Sequence, residues 1–304
     1  MRSSIGDGGT WWRRGLMLAL GASCSAACSS FDPGGPEGSG SLAFTTWGED
    51  FIEQQIPAAP SGEDGFIDGW TVRYEKFLVN FQNITVADGV GKRAAVMAGS
   101  KLFDNHQPGV KPIIDFPEVS AQAWDRVSYE IAPVSASTVL DSSASEADAA
   151  EMREHGFSLL VAGTASKDQR TMHFSWGFPS HTLYLDCHSS QGGREQNGVL
   201  VRSHSSVEVQ LTTHGDHLFY DRLQASPDPA IATSLRFEAL ASSDANRDGE
   251  LTLAELDAQI IDVRLYDPSG LGAATYGAFM RTLVRTVGHF RGEGECTVNE
   301  PAAD

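Results

Sequence analysis

Short runs of alternating apolar and polar residues dominate the chain from about residue 42 to residue 224. In the run TVRYEKFLVNFQNITV, the apolar residues Val72 and Tyr74 fall at even positions, whereas Phe77, Val79 and Phe81 fall at odd positions. This switch predicts either a β-bulge or a strand that is buried on both faces. Further candidate strands follow, separated by Gly, Pro, Ser and Asp: VKPIIDFPEV, WDRVSYEIAP, FSLLVAGTAS, RTMHFSWGF, TLYLDC, NGVLVRS and SVEVQLTTH.

That number of short strands predicts a mainly β fold, a sandwich or barrel-like domain over residues 42–224. The segment SEADAAEMREHG interrupts it and predicts a short helix capped by Ser145 and ended by Gly156. Residues 225–304 have helical spacing instead, in ATSLRFEAL, in TLAELDAQII and in TYGAFMRTLVRTVGHFRG, which ends at Gly292. A helical C-terminal segment is therefore expected beside the β domain.

The first 41 residues have the pattern of an export signal followed by a tether. Arg13 and Arg14 precede a short apolar run and small residues, which is typical of a secretory signal over residues 1–27. Residues 28–41 are rich in Gly, Pro and Ser, and predict a flexible tether. A cysteine beside small residues resembles a bacterial lipobox, at Cys28 or alternatively at Cys24. A plain secreted protein without either cysteine is the other possibility.

The number of remaining cysteines favours Cys28 as the lipidated residue. Cleavage before Cys28 leaves only Cys187 and Cys296 besides it, and these two can form a disulfide. The alternative is that Cys187 and the adjacent His188 belong to a soft-metal site. We expect a protein of the bacterial cell envelope, periplasmic or surface-exposed, that is attached to the membrane by lipid.

The chain is strongly acidic, with 40 Asp and Glu against 22 Lys and Arg, which gives a net charge of −18. Without residues 1–27 the counts are 39 and 19, because Asp7, Arg2, Arg13 and Arg14 are lost, and the net charge is −20. Such a surface repels phosphate backbones and attracts cations, so nucleic acid is excluded as a partner. No protein partner can be identified from the sequence.

The segment DANRDGELTLAE has the spacing of a calcium-binding loop of the EF-hand family. Counted from Asp244, the glycine that permits the sharp turn is sixth, and the apolar Leu251 is eighth, where it can pack on a neighbour. Helical patterns lie on both sides, but no second loop is visible, which favours a structural role for calcium over a sensor role. The expected calcium ligands are Asp244, Asn246, Asp248, Glu250 through its backbone carbonyl, Thr252 and Glu255.

Histidines near strand ends form a second candidate metal site. His214 ends the strand SVEVQLTTH, His217 follows in the next turn, and His173 flanks Trp176 in an aromatic strand. Imidazoles gathered in this way suit copper or zinc, although such histidines are also common in ordinary turns. No Gly-x-Ser-x-Gly elbow and no His-Glu-x-x-His motif is present, so we do not expect an enzyme.

The order of four segments resembles the MbnP-like family of periplasmic copper-binding proteins. They are DGWTVRYEKFLVNFQNITVADG, KLFDNHQPGVKPIIDFPEVSAQAWDRVSYEIAP, TMHFSWGFPSHTLYLDC and VEVQLTTHGDHLFYDRL, and they cover most of residues 68–223. The resemblance implies a β-sandwich-type fold and copper binding through histidines near an aromatic residue. The leading expectation is a calcium-binding envelope lipoprotein, and the alternative is a copper or other transition-metal binding protein.

Overall fold

The computed structural model describes residues 38–59, 64–191, 193–223, 232–268 and 270–301. The predicted signal peptide, both lipobox cysteines and most of the tether lie outside these residues. The first strand begins at Ser39, so regular structure starts three residues before the predicted boundary at residue 42. With 47% strand and 16% helix the fold is mainly β, which confirms the predicted class.

The described strands are numbered in chain order. They are β1 (Ser39–Gly48), β2 (Thr71–Ala87), β3 (Arg93–Val96), β4 (Ser100–Asp104), β5 (Lys111–Ser120), β6 (Ala123–Trp124), β7 (Arg126–Ile131), β8 (Val139–Leu140), β9 (Leu159–Lys167), β10 (Arg170–Phe178), β11 (Thr182–Gln191), β12 (Arg194–Asn197), β13 (Val199–Leu200), β14 (Ser206–Thr213), β15 (Glu250–Leu251), β16 (Gly288–Phe290) and β17 (Glu295–Asn299). The described helices are α1 (Asp50–Glu53), α2 (Glu146–His155), α3 (Glu238–Ala241), α4 (Leu253–Ala258) and α5 (Tyr276–Leu283), with 3₁₀ turns at Asp216–Phe219 and Val284–Thr286.

The larger sheet has eleven strands, is curled, and is organised around the long strand β2. Its main path runs β12-β11-β7-β2-β9-β10-β15, and β3, β4, β8 and β17 extend it at the sides. The register of β2 against β9 shifts between Tyr74 and Lys76, which confirms the predicted bulge. From Phe77 to Phe81 every residue is buried, so this part of the strand is covered on both faces as well.

A smaller sheet has four strands in the order β16-β14-β1-β5. Strands β1 and β14 are parallel, and Gly48 pairs with Thr213 at their common end. Strand β16 lies antiparallel to β14 on its other side. The residues that follow β1 and β14 therefore leave the same edge of the sheet.

Helix α2 forms as predicted. The side chain of its N-cap residue Ser145 accepts a hydrogen bond from the backbone of Asp148, and Gly156 ends the helix in the left-handed conformation at φ 66°. The predicted helix ending at Gly292 is wrong, because α5 stops at Leu283 and the chain continues as a 3₁₀ turn and strand β16. There Phe290 pairs with Leu211 of β14 and is fully buried, so pairing in the sheet overrides the helical spacing.

Residues 225–304 are only partly helical where they are described. Besides the short helices α3 to α5 they supply β15 and β17 to the larger sheet and β16 to the smaller one. Residues 38–301 accordingly belong to one compact unit. A disulfide links Cys187 of β11 to Cys296 of β17 and fastens this segment to the larger sheet. Among the described helices, none is long and apolar enough to span a bilayer.

Candidate metal centre

The parallel pairing of β1 and β14 brings two candidate ligands to the same sheet edge. Glu49 follows β1 directly and His214 follows β14 directly. Because Gly48 and Thr213 are partners in the ladder, the next residues emerge side by side. Oε1 of Glu49 lies 3.0 Å from Nε2 of His214.

Strand β16 contributes a histidine that the sequence analysis missed. His289 pairs with Thr212 of β14, and the backbone N–H of His214 donates to the carbonyl of Val287 at 2.8 Å. Residues two apart on a strand face the same way, so Thr212 and His214 share a face and the ring of His289 lies diagonally beside that of His214. The two ring centroids are 4.1 Å apart.

The third imidazole comes from the 3₁₀ turn that follows Gly215. Tyr74 donates to the carbonyl of Gly215 at 2.6 Å, and a Cβ at this glycine would lie 2.7 Å from side-chain atoms of both Ile52 and Tyr74. The turn can therefore sit this close to the core only with glycine at the position. It directs His217 to within 4.9 Å of His289 and 5.2 Å of His214, measured between ring centroids.

Together these residues form a buried group that we call the histidine cluster (His214, His217 and His289). They are only 5%, 8% and 6% exposed, and one nitrogen of each lies within 4.8 Å of the others. Ligands on a tetrahedral ion with bonds of about 2.0–2.1 Å are about 3.3 Å apart. Small ring movements of at most about 1.5 Å would thus close the cluster on a metal ion.

The hydrogen bonds of Thr286 determine which nitrogen of His217 is free. Its hydroxyl donates to the carbonyl of Leu283 at 2.8 Å, so it must accept from Nδ1–H of His217 at 2.9 Å. Nε2 of His217 is then a lone-pair donor, oriented by a partner on the opposite nitrogen as in protein metal sites. In the described structure neither Nδ1 of His289 nor Nε2 of His214 makes a directed hydrogen bond, although both atoms are buried.

Burial and the Glu49 carboxylate together shift the pKa values of the three imidazoles in different directions. It lowers the pKa of His217 well below the usual value, with a further contribution from the neighbouring histidines, and it lowers the pKa of His289 to about 4. Burial also acts to lower the pKa of His214, but the Glu49 carboxylate outweighs it and the pKa is raised. His217 and His289 are therefore neutral at pH 7, as metal ligands must be.

An acidic pocket of about 570 Å³ opens beside the cluster. Its lining includes Glu49, His214, Asp216 and Glu293. Asp216 accepts a hydrogen bond from the Tyr220 hydroxyl at 3.0 Å, and burial raises its pKa. Glu49, His214 and Glu293 form a second group whose ligand atoms lie within 4.8 Å of one another. Of the histidine cluster, only His214 lines this pocket, so the pocket reaches the cluster at His214.

Of the three transition-metal ligands proposed from sequence, the structure brings together two. His214 and His217 belong to the cluster, whereas His173 is exposed on strand β10, where it pairs with Glu250 of the calcium-type loop. The placement of His173 with the other two is therefore wrong. His289 was hidden inside an apparent helix, and only its register opposite Thr212 reveals it.

The second candidate site, residues 244–255, adopts a tightly wound loop. Carboxylate oxygens of Asp244 accept from the backbone of Arg247 at 2.7 Å and of Gly249 at 3.1 Å. Asp248 likewise accepts from the backbone of Glu250 at 2.8 Å. Gly249 has φ 81°, a conformation that favours glycine. The chain path thus turns around its own acidic side chains.

The loop is attached to the edge of the larger sheet. Strand β15 pairs in parallel with β10, with Leu251 opposite Phe174. The Leu251 side chain is 1% exposed in the core, and its carbonyl accepts from Nε1 of Trp176 at 2.8 Å. The apolar eighth position therefore packs on a neighbour as the sequence predicted, and that neighbour is the sheet rather than a second loop.

The carboxylates of the loop are arranged less tightly than the histidine cluster. Glu255 accepts hydrogen bonds from the backbone and hydroxyl of Thr252 at 3.0 and 2.9 Å, which caps α4. In the part of the chain that the structure describes, Asp244, Asp248 and Glu255 do not form a group with ligand atoms within 4.8 Å. Bidentate closure of this loop by Glu255 would use Oε2, the oxygen that accepts both hydrogen bonds from Thr252.

Comparisons of the chain with protein-family models, curated proteins and solved structures find no match. The resemblances to EF-hand loops and to the MbnP-like family stay predictions.

Proposed function

We propose that this protein binds a divalent transition-metal ion, copper or zinc, through His214, His217 and His289. The observation that carries the proposal is the convergence of three buried imidazoles with nitrogens within 4.8 Å. Imidazole nitrogen is a preferred ligand of both ions. Two of the rings are neutral at pH 7, and the hydrogen bond to Thr286 fixes the tautomer of His217.

The test is metal content of protein purified without chelator, followed by titration with Cu²⁺ and Zn²⁺. We expect one ion per chain in the wild type and a loss of roughly 100-fold or more in metal affinity for His289→Ala. This loss exceeds the roughly 10–100-fold that is typical when a residue that only orients a ligand is replaced. His173→Ala is the matched control, because His173 is exposed and outside the cluster, and it should bind as the wild type does. Equal affinity in the wild type and His289→Ala would reject the proposal.

We also propose that the loop of residues 244–255 is a structural calcium site, which fastens residues 225–304 to the β sheet. The pairing of β15 with β10 favours it, because the sheet edge takes the place that a second loop would occupy. Calcium at 100 times its dissociation constant would then add about 2.7 kcal/mol to the free energy of unfolding.

Calcium titration monitored by thermal unfolding tests the loop. Glu255→Gln should remove most of the stabilisation by calcium, since Glu255 supplies the closing carboxylate. Glu250→Gln is the matched control, because position seven offers its backbone carbonyl and the substitution leaves that oxygen in place. A melting temperature independent of calcium in the wild type would exclude the structural calcium site.

We further propose attachment to a bacterial membrane by lipid on Cys28, which lies outside the described residues. Labelling of cells with a radioactive fatty acid should mark the wild type and Cys24→Ala but not Cys28→Ala. If the label persists in Cys28→Ala and disappears in Cys24→Ala, the lipidated residue is Cys24 instead.

A further inference from the structure

The pocket beside the histidine cluster is lined by acidic side chains. Glu49, Asp64, Asp216 and Glu293 all line it, and its described lining contains no Lys or Arg. A concave acidic surface concentrates the field of its charges and raises the local concentration of cations. The pocket therefore attracts the kind of ion that the cluster would bind.

The outer ligand group shares one residue with the histidine cluster. His214 belongs to both groups, while Glu49 is half-buried and Glu293 is exposed at the pocket. His214 is 5% exposed, and its buried Nε2 lies 3.0 Å from Oε1 of Glu49 without a directed hydrogen bond. This nitrogen is thus aimed into the outer group, where a bound ion would take the place of the proton that Glu49 stabilises.

The ligand types of the two groups, and their depths in the protein, indicate the order in which an incoming metal ion would meet them. Two carboxylates and one imidazole are weaker ligands for copper or zinc than three imidazoles, because these ions prefer nitrogen to oxygen donors. The outer group faces the pocket, and the inner cluster lies behind it with His217 and His289 at least nine-tenths buried. An ion that enters from the pocket meets the carboxylates first.

We propose that Glu49, His214 and Glu293 form a capture site that binds the incoming divalent metal ion and passes it to the histidine cluster through His214. This inference rests on the metal-binding function proposed above. It assigns to Glu49 and Glu293 a role in the rate of metal uptake, and to His217 and His289 a role in retention.

Stopped-flow mixing with Cu²⁺ tests the proposal, with quenching of tryptophan fluorescence as the signal, since Trp47 is two residues from Glu49. We expect the double variant Glu49→Gln/Glu293→Gln to take up Cu²⁺ about tenfold more slowly, at the lower end of electrostatic steering effects. Its rate should also depend less on ionic strength. Glu293→Gln alone should also slow uptake, and because Glu293 is exposed this substitution should change stability by less than about 0.5 kcal/mol.

The matched control is Glu118→Gln/Glu154→Gln, which changes the net charge equally at exposed positions outside the pocket lining. It should keep the wild-type rate. His289→Ala should leave the association rate unchanged and accelerate dissociation. If the wild type and the control bind Cu²⁺ and the pocket variants take it up equally fast, the capture site is refuted. Failure of the wild type to bind Cu²⁺ would instead overturn the metal-binding function itself.

Discussion

Truncation of Leu251 to alanine tests how firmly the 244–255 loop is fixed to the sheet. The Leu251 side chain is 1% exposed and belongs to the main hydrophobic core. Removal of a fully buried leucine side chain costs 2–5 kcal/mol, so we expect a loss of about 3 kcal/mol in the free energy of unfolding. For a chain of this size that corresponds to a decrease of roughly 6–12 °C in melting temperature.

Urea denaturation in the presence of a calcium chelator measures this loss without a contribution from bound metal. Tryptophan fluorescence is a suitable signal because Nε1 of Trp176 donates to the carbonyl of Leu251. The midpoint should fall with an unchanged m-value. Val263→Ala is the control, since Val263 is 74% exposed, and it should change stability by less than about 0.5 kcal/mol. A loss below about 1 kcal/mol for Leu251→Ala would show that the loop strand is not anchored in the core.

Three further predictions concern other parts of the molecule. Partial burial opposes ionisation of Glu238, but its two cationic neighbours and a tryptophan N–H lower its pKa from 4.5 to about 2. Glu238→Gln should therefore lower the free energy of unfolding by about 1 kcal/mol near pH 7, a figure reduced because the side chain is 39% exposed. The difference in denaturation midpoint from the wild type should vanish as the pH falls from 4.5 to about 2. Thr286→Val removes the acceptor that orients His217 and should weaken Cu²⁺ binding about 10–100-fold in equilibrium titration, whereas Thr282→Val in the preceding helix α5 should not. Reduction of the disulfide should lower the free energy of unfolding by about 2–4 kcal/mol in urea, and a variant with both cysteines replaced by serine should not respond to reductant.

The features predicted correctly from the sequence are those that neighbouring residues decide. Ser145 and Gly156 delimit α2 because capping is a local interaction between a side chain and the nearest turn. The change of parity after Tyr74 predicts the β2 bulge because alternation along a strand is equally local. The calcium-type spacing is local as well, since all of its expected ligands lie within twelve consecutive positions, and calcium binding there stays a prediction.

The histidine cluster could be predicted only in part. His214 and His217 are close in sequence, so their spacing groups them, whereas only the aromatic strand around Trp176 suggests His173 as their companion. The actual companion, His289, lies in a stretch whose spacing fits a helix, and it joins the cluster because β16 pairs with β14. Glu49 comes near His214 only through the parallel pairing of β1 with β14.

The sequence by itself thus determined the mainly β class, the capped helix, the bulge and the spacing of acidic residues in the 244–255 loop. Tertiary structure alone decided which histidines meet, which carboxylates face them, and that a sheet edge holds the single loop. The physical reason is that strand pairing joins residues far apart in the chain. A shift of one residue in register would turn His289 to the opposite face, and no local pattern specifies that register.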